Sequence, residues 1–216
     1  MPRKSKLLSL FLSLVFALLV LTASIAVPIL CRAFYYAHIG PLRLEQQTGL
    51  SRAEIKQAYD EMVDFCIGRR TDFSTGVLPW SESGRAHFVD VRGLFLLDLG
   101  VLAACAAILA VCLLLRRRVR PYRFRGRGPG FWGAAGLAAV FAVVGALAAV
   151  DFDRAFVVFH ALFFPGKTNW LFDPATDAII TILPEVFFRN CGILIVALLF
   201  LWCAILIVFD RKRIEK

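Results

Sequence analysis

Four long apolar runs dominate the pattern of hydrophobic and polar positions along this chain. They cover about residues 7–30, 94–115, 131–150 and 191–209, and the one charged residue among them is Asp98. An α-helix needs roughly 20 residues to cross the hydrocarbon core of a bilayer. Helices of a soluble protein would also carry a polar stripe at helical spacing, and these runs carry none. The pattern predicts an all-α integral membrane protein with four transmembrane helices.

The charged residues are divided unevenly between the segments that connect these runs. The two tails and the connection 116–130 together hold 14 basic and two acidic residues. The connections 31–93 and 151–190 hold 11 basic and 13 acidic residues. Because basic residues concentrate on the cytoplasmic side of a membrane, we expect both termini and loop 116–130 to be cytoplasmic. The two long loops would then be extracytoplasmic, and 1–216 would form a single membrane domain.

Composition supports this picture and removes another class of protein. The chain has 216 residues, is 59% hydrophobic and carries a formal net charge of +9, whereas a soluble domain is usually about 45–50% apolar. A basic excess can indicate nucleic-acid binding. Here its densest segment, 116–128, is the short loop between two spans. We therefore attribute the charge to topology and contact with anionic lipid, and expect no nucleic-acid partner.

The first run and the cysteines raise two further points. The first run resembles a secretory signal with a cleavage site after Ala26, but its roughly 20 apolar residues exceed a signal core, so we expect an uncleaved anchor. No Cys-x-x-Cys spacing occurs among the six cysteines, so we predict no structural metal site. A bridge between Cys31 and Cys66 is left open.

The first long loop contains two helix signals. Ser51 and Glu54 form a capping box that begins an amphipathic helix, which we expect to pack on the membrane surface or on the spans. Ser83 is the expected N-cap of a second helix that continues into the second span. On that helix His87 and Asp90 share one face. A carboxylate one turn away can hydrogen-bond an imidazole and fix its tautomer.

Asp98 lies deeper on the same face of that helix, inside the second apolar run. A charged side chain inside a membrane is costly. We therefore expect Asp98 to face the interior of the bundle and to have a partner there.

The second long loop is rich in phenylalanine. Phe156, Phe159 and Phe163 share one helical face, with His160 beside them. A stretch of about 12 apolar residues is too short to span a bilayer and fits an interfacial or re-entrant helix. His38, in contrast, lies just beyond the first span in an ordinary context, and we interpret it as structural.

The rest of the second loop predicts a short helix before the fourth span. Trp170 is typical of the aromatic belt at a membrane surface. Asp173, followed by proline, would be the N-cap of the short helix, which would end near Glu185.

Two histidine-bearing segments and two shorter ones stand out: SESGRAHFVDVRGLF at 81–95, FVVFHALFF at 156–164, NWLFD at 169–173 and LPEVFF at 183–188. Together they resemble the bacterial four-span membrane proteins known as lipoprotein intramolecular transacylases. The motifs cover the second half of the first long loop and nearly all of the second. The spans agree in number, order and orientation. Phe88 and Arg92 stand where this family commonly has Met and Lys.

The resemblance implies an acyltransferase of the bacterial plasma membrane that acts on diacylglyceryl-modified lipoproteins. Such an enzyme moves the sn-2 acyl chain of the S-diacylglyceryl-cysteine to the α-amino group of the same cysteine, giving the lyso form. The resemblance also implies that His87 and His160 are the catalytic pair, that the site faces the extracytoplasmic side, and that no cofactor is needed.

General acid–base catalysis by two histidines fits this reaction. One neutral imidazole can take a proton from the attacking amine, and a second, protonated one can deliver a proton to the glycerol oxygen. Which histidine has which role is open. Other residues could orient these groups, stabilise the oxyanion or bind substrate: Asp90, Arg92, Asp98, Ser83, Trp170, Asp173 and Glu185. The expected wall for the acyl chain consists of Phe156, Phe159 and Phe163.

Three alternatives use other chemistry. A metal-dependent membrane hydrolase would have His87, Asp90, His160 and Glu185 as ligands. A transporter would use the histidines and Asp98 as a proton relay, although no broken helix or internal repeat is evident. A non-catalytic scaffold would use none of them chemically. The sequence leaves the oligomeric state open.

Overall fold

The computed structural model describes residues 3–115 and 119–212, and most of these residues are helical. The elements, in chain order, are β1 (Arg3–Ser5), α1 (Lys6–Leu30), α2 (Arg32–His38), α3 (Leu44–Thr48), α4 (Arg52–Cys66), α5 (Glu82–Leu114), β2 (Val119–Pro121), α6 (Pro129–Val150), α7 (Phe152–Phe163), a 3₁₀ helix (Ala178–Thr181) and α8 (Glu185–Lys212). The two strands are short and pair in parallel. Residues 116–118 of the arginine-rich loop, and the basic residues 213 and 216, lie outside the described residues.

The prediction of four spanning helices is confirmed. Helices α1, α5, α6 and α8 are long and apolar enough to cross a membrane. Helix α5 has 33 residues and is therefore about 50 Å long, which exceeds the roughly 30 Å of a hydrocarbon core. We take its part from Leu94 onward as the spanning segment, so that Glu82–Gly93 extends beyond it. The side of the membrane that each loop faces stays a prediction.

The chain divides into two compact units. The first, called here the span unit, contains the residues up to Ala26, Asp98–Ala149 and the residues from Leu194 onward. The second, called the loop unit, contains Val27–Leu97 and Val150–Ile193. The prediction of one membrane domain stays a prediction.

Small side chains allow close helix packing in the span unit. A buried cluster joins Val20 of α1, Ala134 of α6 and two residues of α8, Leu199 and Cys203. At Gly133 of α6, a Cβ atom would overlap a backbone carbonyl of α1. Such close backbone approach is typical of helix pairs in membranes, where van der Waals packing through small residues holds helices together without a hydrophobic driving force.

Helix α4 confirms the predicted amphipathic helix and its capping box. The Glu54 backbone N–H donates to the Ser51 hydroxyl at 3.3 Å, and the Ser51 N–H donates to the Glu54 carboxylate at 2.8 Å. Its apolar face is buried together with side chains of α2, α3, the 3₁₀ helix and the start of α8. Tyr35 of α2 stacks on Tyr59 of α4 with 3.7 Å between ring centroids. The helix therefore packs into a core of the loop unit itself.

Helix α5 begins two residues earlier than expected, so the prediction of Ser83 as its N-cap is wrong. The Gly84 backbone N–H donates to the Ser81 hydroxyl at 3.0 Å, which makes Ser81 the N-cap. The Ser81 N–H and hydroxyl also donate to the buried Asp177 carboxylate, each at 2.8 Å. Gly84 permits this contact, because a Cβ atom there would overlap the carboxylate. These bonds fix the start of α5 in the loop unit.

The segment between α7 and α8 is less helical than predicted. Asp173 and Pro174 do not begin a helix. The Ala175 N–H donates to the Asp173 carboxylate at 2.9 Å and closes a turn. Asp177, with φ of −124°, precedes the 3₁₀ helix that begins at Ala178. The Asp177 carboxylate is bonded to Ser81 across the loop unit, and this long-range contact replaces a regular helix.

Candidate active site

The structure brings the two motif histidines together in the loop unit. His87 lies in the second turn of α5, and His160 lies in the last turn of α7. Their ring centroids are 5.9 Å apart, and the ring planes differ by 30°. Each residue is only 6% exposed. This proximity, which the sequence did not establish, is what a shared reaction centre requires.

His160 has a fixed tautomer. Its Nδ1 lies 2.8 Å from the Phe156 carbonyl oxygen, one turn earlier on α7. A carbonyl can only accept, so Nδ1 carries the hydrogen and Nε2 of the neutral ring has a free lone pair. Phe156 and Trp170 enclose the ring, with centroids at 4.3 and 4.4 Å. Burial lowers the pKa of His160, and the bond to the carbonyl opposes this in part. The geometry suits a neutral base.

His87 is enclosed by aromatic rings. The centroids of Phe164 and Phe172 lie 5.0 and 5.4 Å from that of His87. Burial, followed by the neighbouring His160, lowers the pKa of His87 to about 4. His87 is therefore neutral in the free protein at neutral pH. The aromatic enclosure disfavours the charged form of His87, so this residue does not suit the role of the protonated imidazole in the free protein.

Asp90 does not pair with His87 as predicted. Its carboxylate accepts from the Lys167 ammonium at 2.6 Å and from the Asn169 amide at 3.3 Å. Burial raises the pKa of Asp90, but these two hydrogen bonds and the Lys167 charge outweigh it, and the net shift is downward. Asp90 therefore ties the segment after α7 to α5, and it acts on His87 through its charge.

Two predicted oxyanion donors are bonded elsewhere. The Trp170 indole N–H donates to the Lys167 carbonyl at 3.0 Å. Arg92 donates to the Arg70 carbonyl at 2.8 Å. Its guanidinium carbon lies 4.9 Å from the centroid of the Phe65 ring. Arg92 also follows His87 by five residues, so the two side chains leave α5 in directions that differ by about 140°.

Ser83, the third proposed oxyanion donor, is exposed and lies one turn before His87 on the same face of α5. It therefore stays a candidate.

The other candidates lie apart from the histidine pair. Asp173 closes an exposed turn. Glu185 begins α8 beside Asp153, and a hydrogen bond between these two carboxyl groups raises the pKa of Glu185. Asp98 belongs to the span unit, and its Oδ2 is buried with no hydrogen-bond partner within residues 3–115 and 119–212. The partner that we predicted for Asp98 is thus missing from this part of the chain.

The predicted acyl-chain wall is partly exposed. Phe156 contacts His160 directly, whereas Phe159 and Phe163 are each 46% exposed and pack on each other at 4.7 Å. Their open faces offer apolar surface beside the histidine pair. Three further aromatic residues that contact His87 were missed by sequence reasoning: Phe88, Phe164 and Phe172. Phe164 could have been found, because it follows His160 by one helical turn.

The ligand set of the metal alternative is not assembled. Among the described residues, no three His, Cys, Asp or Glu side chains are grouped so that they could hold a metal ion. Asp90 is bonded to Lys167 and Asn169, and Glu185 is beside Asp153. All six cysteines are free, including Cys31 and Cys66.

Comparisons with known proteins agree on one family. A model of the lipoprotein intramolecular transacylase Lit family matches residues 10–188. The solved membrane integral lipoprotein intramolecular transacylase Lit from Bacillus cereus is 24% identical, with a TM-score of 0.84, and the match covers 97% of this chain and 95% of that one.

Two variants of the Bacillus cereus protein have also been solved, each with one histidine replaced. The arginine variant is 23% identical, with a TM-score of 0.77 and coverage of 97% and 94%. The alanine variant is 24% identical, with a TM-score of 0.75 and coverage of 96% and 93%. A search of curated proteins finds no match. The solved structures share the fold, and the family model covers most of the chain. The chain therefore belongs to the lipoprotein intramolecular transacylase family, whose members are acyltransferases.

Proposed function

We propose that this protein moves the sn-2 acyl chain of an S-diacylglyceryl-cysteine to the α-amino group of the same cysteine. Its substrate would be a bacterial lipoprotein, and its product the lyso form. The family supports the reaction class. The observation that carries the proposal to particular residues is the pair of buried imidazoles, 5.9 Å apart, within a wall of aromatic rings.

The reaction requires one proton to move from nitrogen to oxygen. The amine nitrogen attacks the ester carbonyl carbon, a C–N bond forms, and the C–O bond to glycerol breaks. We assign this proton to His160, because its Nδ1–H is held by the Phe156 carbonyl and its Nε2 has a free lone pair. The ring would take the proton from the amine and then return it to the departing glycerol oxygen. One histidine then acts as base and acid in turn.

His87 would have a different role. It is neutral, buried and close to His160, and its Nδ1 has no hydrogen-bond partner within the described ranges. In the tautomer that carries hydrogen on Nδ1, this atom can donate to the oxyanion of the tetrahedral intermediate. A donor held in a site that excludes water stabilises such an oxyanion more strongly than a donor in water would. This assignment replaces Trp170 and Arg92 as oxyanion donors.

The aromatic surroundings would favour transfer over hydrolysis. Nucleophile and ester belong to one substrate molecule, so holding them in register provides a high effective molarity without an acyl-enzyme. Phe156 contacts His160, and Phe164 contacts both histidines. These rings would keep water from the ester. The exposed faces of Phe159 and Phe163 would contact the acyl chain.

The distribution of charge supports a location for the site. The tails and loop 116–130 carry the basic excess, which favours a cytoplasmic position for them in the plasma membrane. The loop unit, with both histidines, would then be extracytoplasmic. The proposed partners are a diacylglyceryl-modified lipoprotein and the lipid bilayer.

Replacing each of the three histidines by alanine tests the two-histidine mechanism. We expect His87→Ala and His160→Ala to lower acyl transfer by roughly 10²-fold or more. His38→Ala is the control, because within residues 3–115 and 119–212 the His38 ring forms hydrogen bonds only with the Phe34 carbonyl and the Asn190 amide. The measurement is mass spectrometry of the N-terminal peptide of a diacylated lipoprotein. Normal transfer by either His87→Ala or His160→Ala would contradict the mechanism.

A further inference from the structure

Two buried polar atoms of the loop unit have no hydrogen-bond partner within residues 3–115 and 119–212. They are Nδ1 of His87 and Oδ1 of Asn169. His87 is only 6% exposed. Native proteins rarely leave such atoms unpaired, so each one needs an explanation, such as a catalytic role or a bound partner. Nδ1 of His87 is part of the mechanism above, whereas Asn169 has no role in it.

The orientation of the Asn169 amide follows from its partner. Its nitrogen lies 3.3 Å from a carboxylate oxygen of Asp90. The Asp90 carboxylate also accepts from Lys167, and its pKa is lowered, so it is ionised and can only accept. The Asn169 group that faces it must therefore be the NH₂. The free atom of the amide is an acceptor, Oδ1.

Asn169 is linked to both histidines. It directly precedes Trp170, whose ring stacks on His160 at 4.4 Å. Its partner Asp90 lies one turn after His87 on α5 and raises the pKa of that ring through its charge. Two free acceptors, Oδ1 of Asn169 and Nε2 of His160, therefore belong to residues that Trp170 and Asp90 connect to the histidine pair.

The substrate has few groups that can donate to these acceptors. Both glycerol hydroxyls of an S-diacylglyceryl group are esterified, so the lipid part offers only acceptors. The remaining donors near the reacting ester are the α-amino group and the peptide N–H groups. A neutral amine has two N–H bonds and one lone pair, so it can donate to both acceptors while its lone pair attacks the ester.

We propose that Oδ1 of Asn169 accepts a hydrogen bond from the α-amino group of the lipidated cysteine, so that Asn169 and His160 together bind the substrate amine. This inference rests on the function proposed above and assigns one group of its substrate. Asp90 is a positioning residue in this arrangement, because it holds the amide that presents Oδ1. Lys167 is the other partner of Asp90 and is half-exposed.

The test compares two lipopeptides that cannot react. Both carry ether-linked alkyl chains in place of the esters. One has the free α-amino group, and the other has 3-mercaptopropionyl in place of cysteine and therefore has no amine. We expect the wild-type protein in detergent to bind the first roughly tenfold more tightly, the range of one hydrogen bond. Asn169→Leu should reduce this ratio several-fold, and the preference that is left is the bond of the amine to Nε2 of His160.

The control is Lys167→Gln, which removes the other partner of Asp90 and should keep the wild-type ratio. If both variants lose the preference, release of Asp90 explains it and the inference is overturned. An Asn169→Leu protein that keeps the preference overturns it as well, as does a wild-type protein that binds both peptides equally. Asn169→Ala provides the same comparison if the leucine variant does not fold. Acyl transfer by wild-type protein on the diacyl ester is measured separately, and its absence would refute the proposed function.

Discussion

The span unit and the loop unit differ in what surrounds their buried side chains. In the part of the chain that the structure describes, the main buried cluster of the span unit has four residues, and that of the loop unit has 16. Many large apolar side chains of the span unit are exposed, as expected where lipid replaces water. The buried polar side chains of the span unit are the hydroxyl residues Ser9, Thr22 and Ser24, whereas the loop unit buries the ionisable residues His87, His160 and Asp177 among the described residues. Apolar composition therefore largely specifies the span unit, and individual polar contacts specify the loop unit.

Two glycines of α5, Gly84 in the loop unit and Gly100 in the span unit, allow the strongest test of this difference. Gly84→Ala should destabilise the loop unit by about 3 kcal/mol or more, because the added Cβ would overlap the Asp177 carboxylate and disturb its bonds to Ser81. Gly100→Ala is the matched control in the span unit, where a Cβ would meet nothing within 4 Å. It should be neutral or stabilising by up to about 1 kcal/mol.

Thermal unfolding in detergent, together with acyl transfer on the folded protein, measures both glycine variants. Equal losses of stability in Gly84→Ala and Gly100→Ala would contradict the view that individual polar contacts specify the loop unit.

Acidification should act on the loop unit through its histidines. All three histidines belong to this unit, and His87 has a pKa lowered to about 4 by burial and by His160. The unfolded chain, with an ordinary histidine pKa of about 6.5, binds more protons between pH 6.5 and 4, so stability falls as the pH falls through this window. The loss between pH 7 and 4.5 should reach about 2 kcal/mol for His87 alone.

The matched variant for the pH experiment is His87→Gln. Its unfolding midpoint should depend less steeply on pH than that of the wild type, whatever its absolute stability. Identical slopes for the two proteins would show that His87 does not titrate as its buried position requires.

The two units also differ in how far the sequence predicted them. The four spans followed from run length and composition, since crossing a bilayer constrains both. The capping box of Ser51 and Glu54 was also correct, because it is a local interaction. Contacts that join distant segments were missed or wrong. Asp177 with Ser81 is separated by 96 residues, and Asp90 with Asn169 by 79.

The same distinction applies within the candidate site. The two histidines were found from their motifs, but their tautomers and protonation were not. Periodicity places His87 and Asp90 on one face of α5, yet it cannot show that Lys167 and Asn169 occupy the carboxylate. Nor can it show that the Trp170 N–H is taken by a backbone carbonyl. Partner choice depends on tertiary packing, which no local pattern encodes.

Trp170→Phe tests whether stacking or the indole N–H matters in the site. Phenylalanine can still stack on His160, and the bond lost is the one to the Lys167 carbonyl. We expect the rate of acyl transfer at saturating lipopeptide to fall less than tenfold. Loss of an oxyanion donor costs about 10²–10³-fold. A decrease of that size would indicate that the Trp170 N–H is the oxyanion donor, and it would contradict the assignment of that role to His87.

The smallest effect distinguishes two serines that are two residues apart. Ser81→Ala removes an N-cap and a bond to Asp177, so it should destabilise the protein by about 1–2 kcal/mol. Ser83→Ala should change the stability by less than about 0.5 kcal/mol, because that residue is exposed in the first turn of α5. Unfolding midpoints of the two variants make the comparison. A larger loss of stability in Ser83→Ala would restore Ser83 as the N-cap that the sequence predicted. If Ser81→Ala loses more stability than Ser83→Ala, a contact across 96 residues, rather than the local pattern, determines where α5 begins.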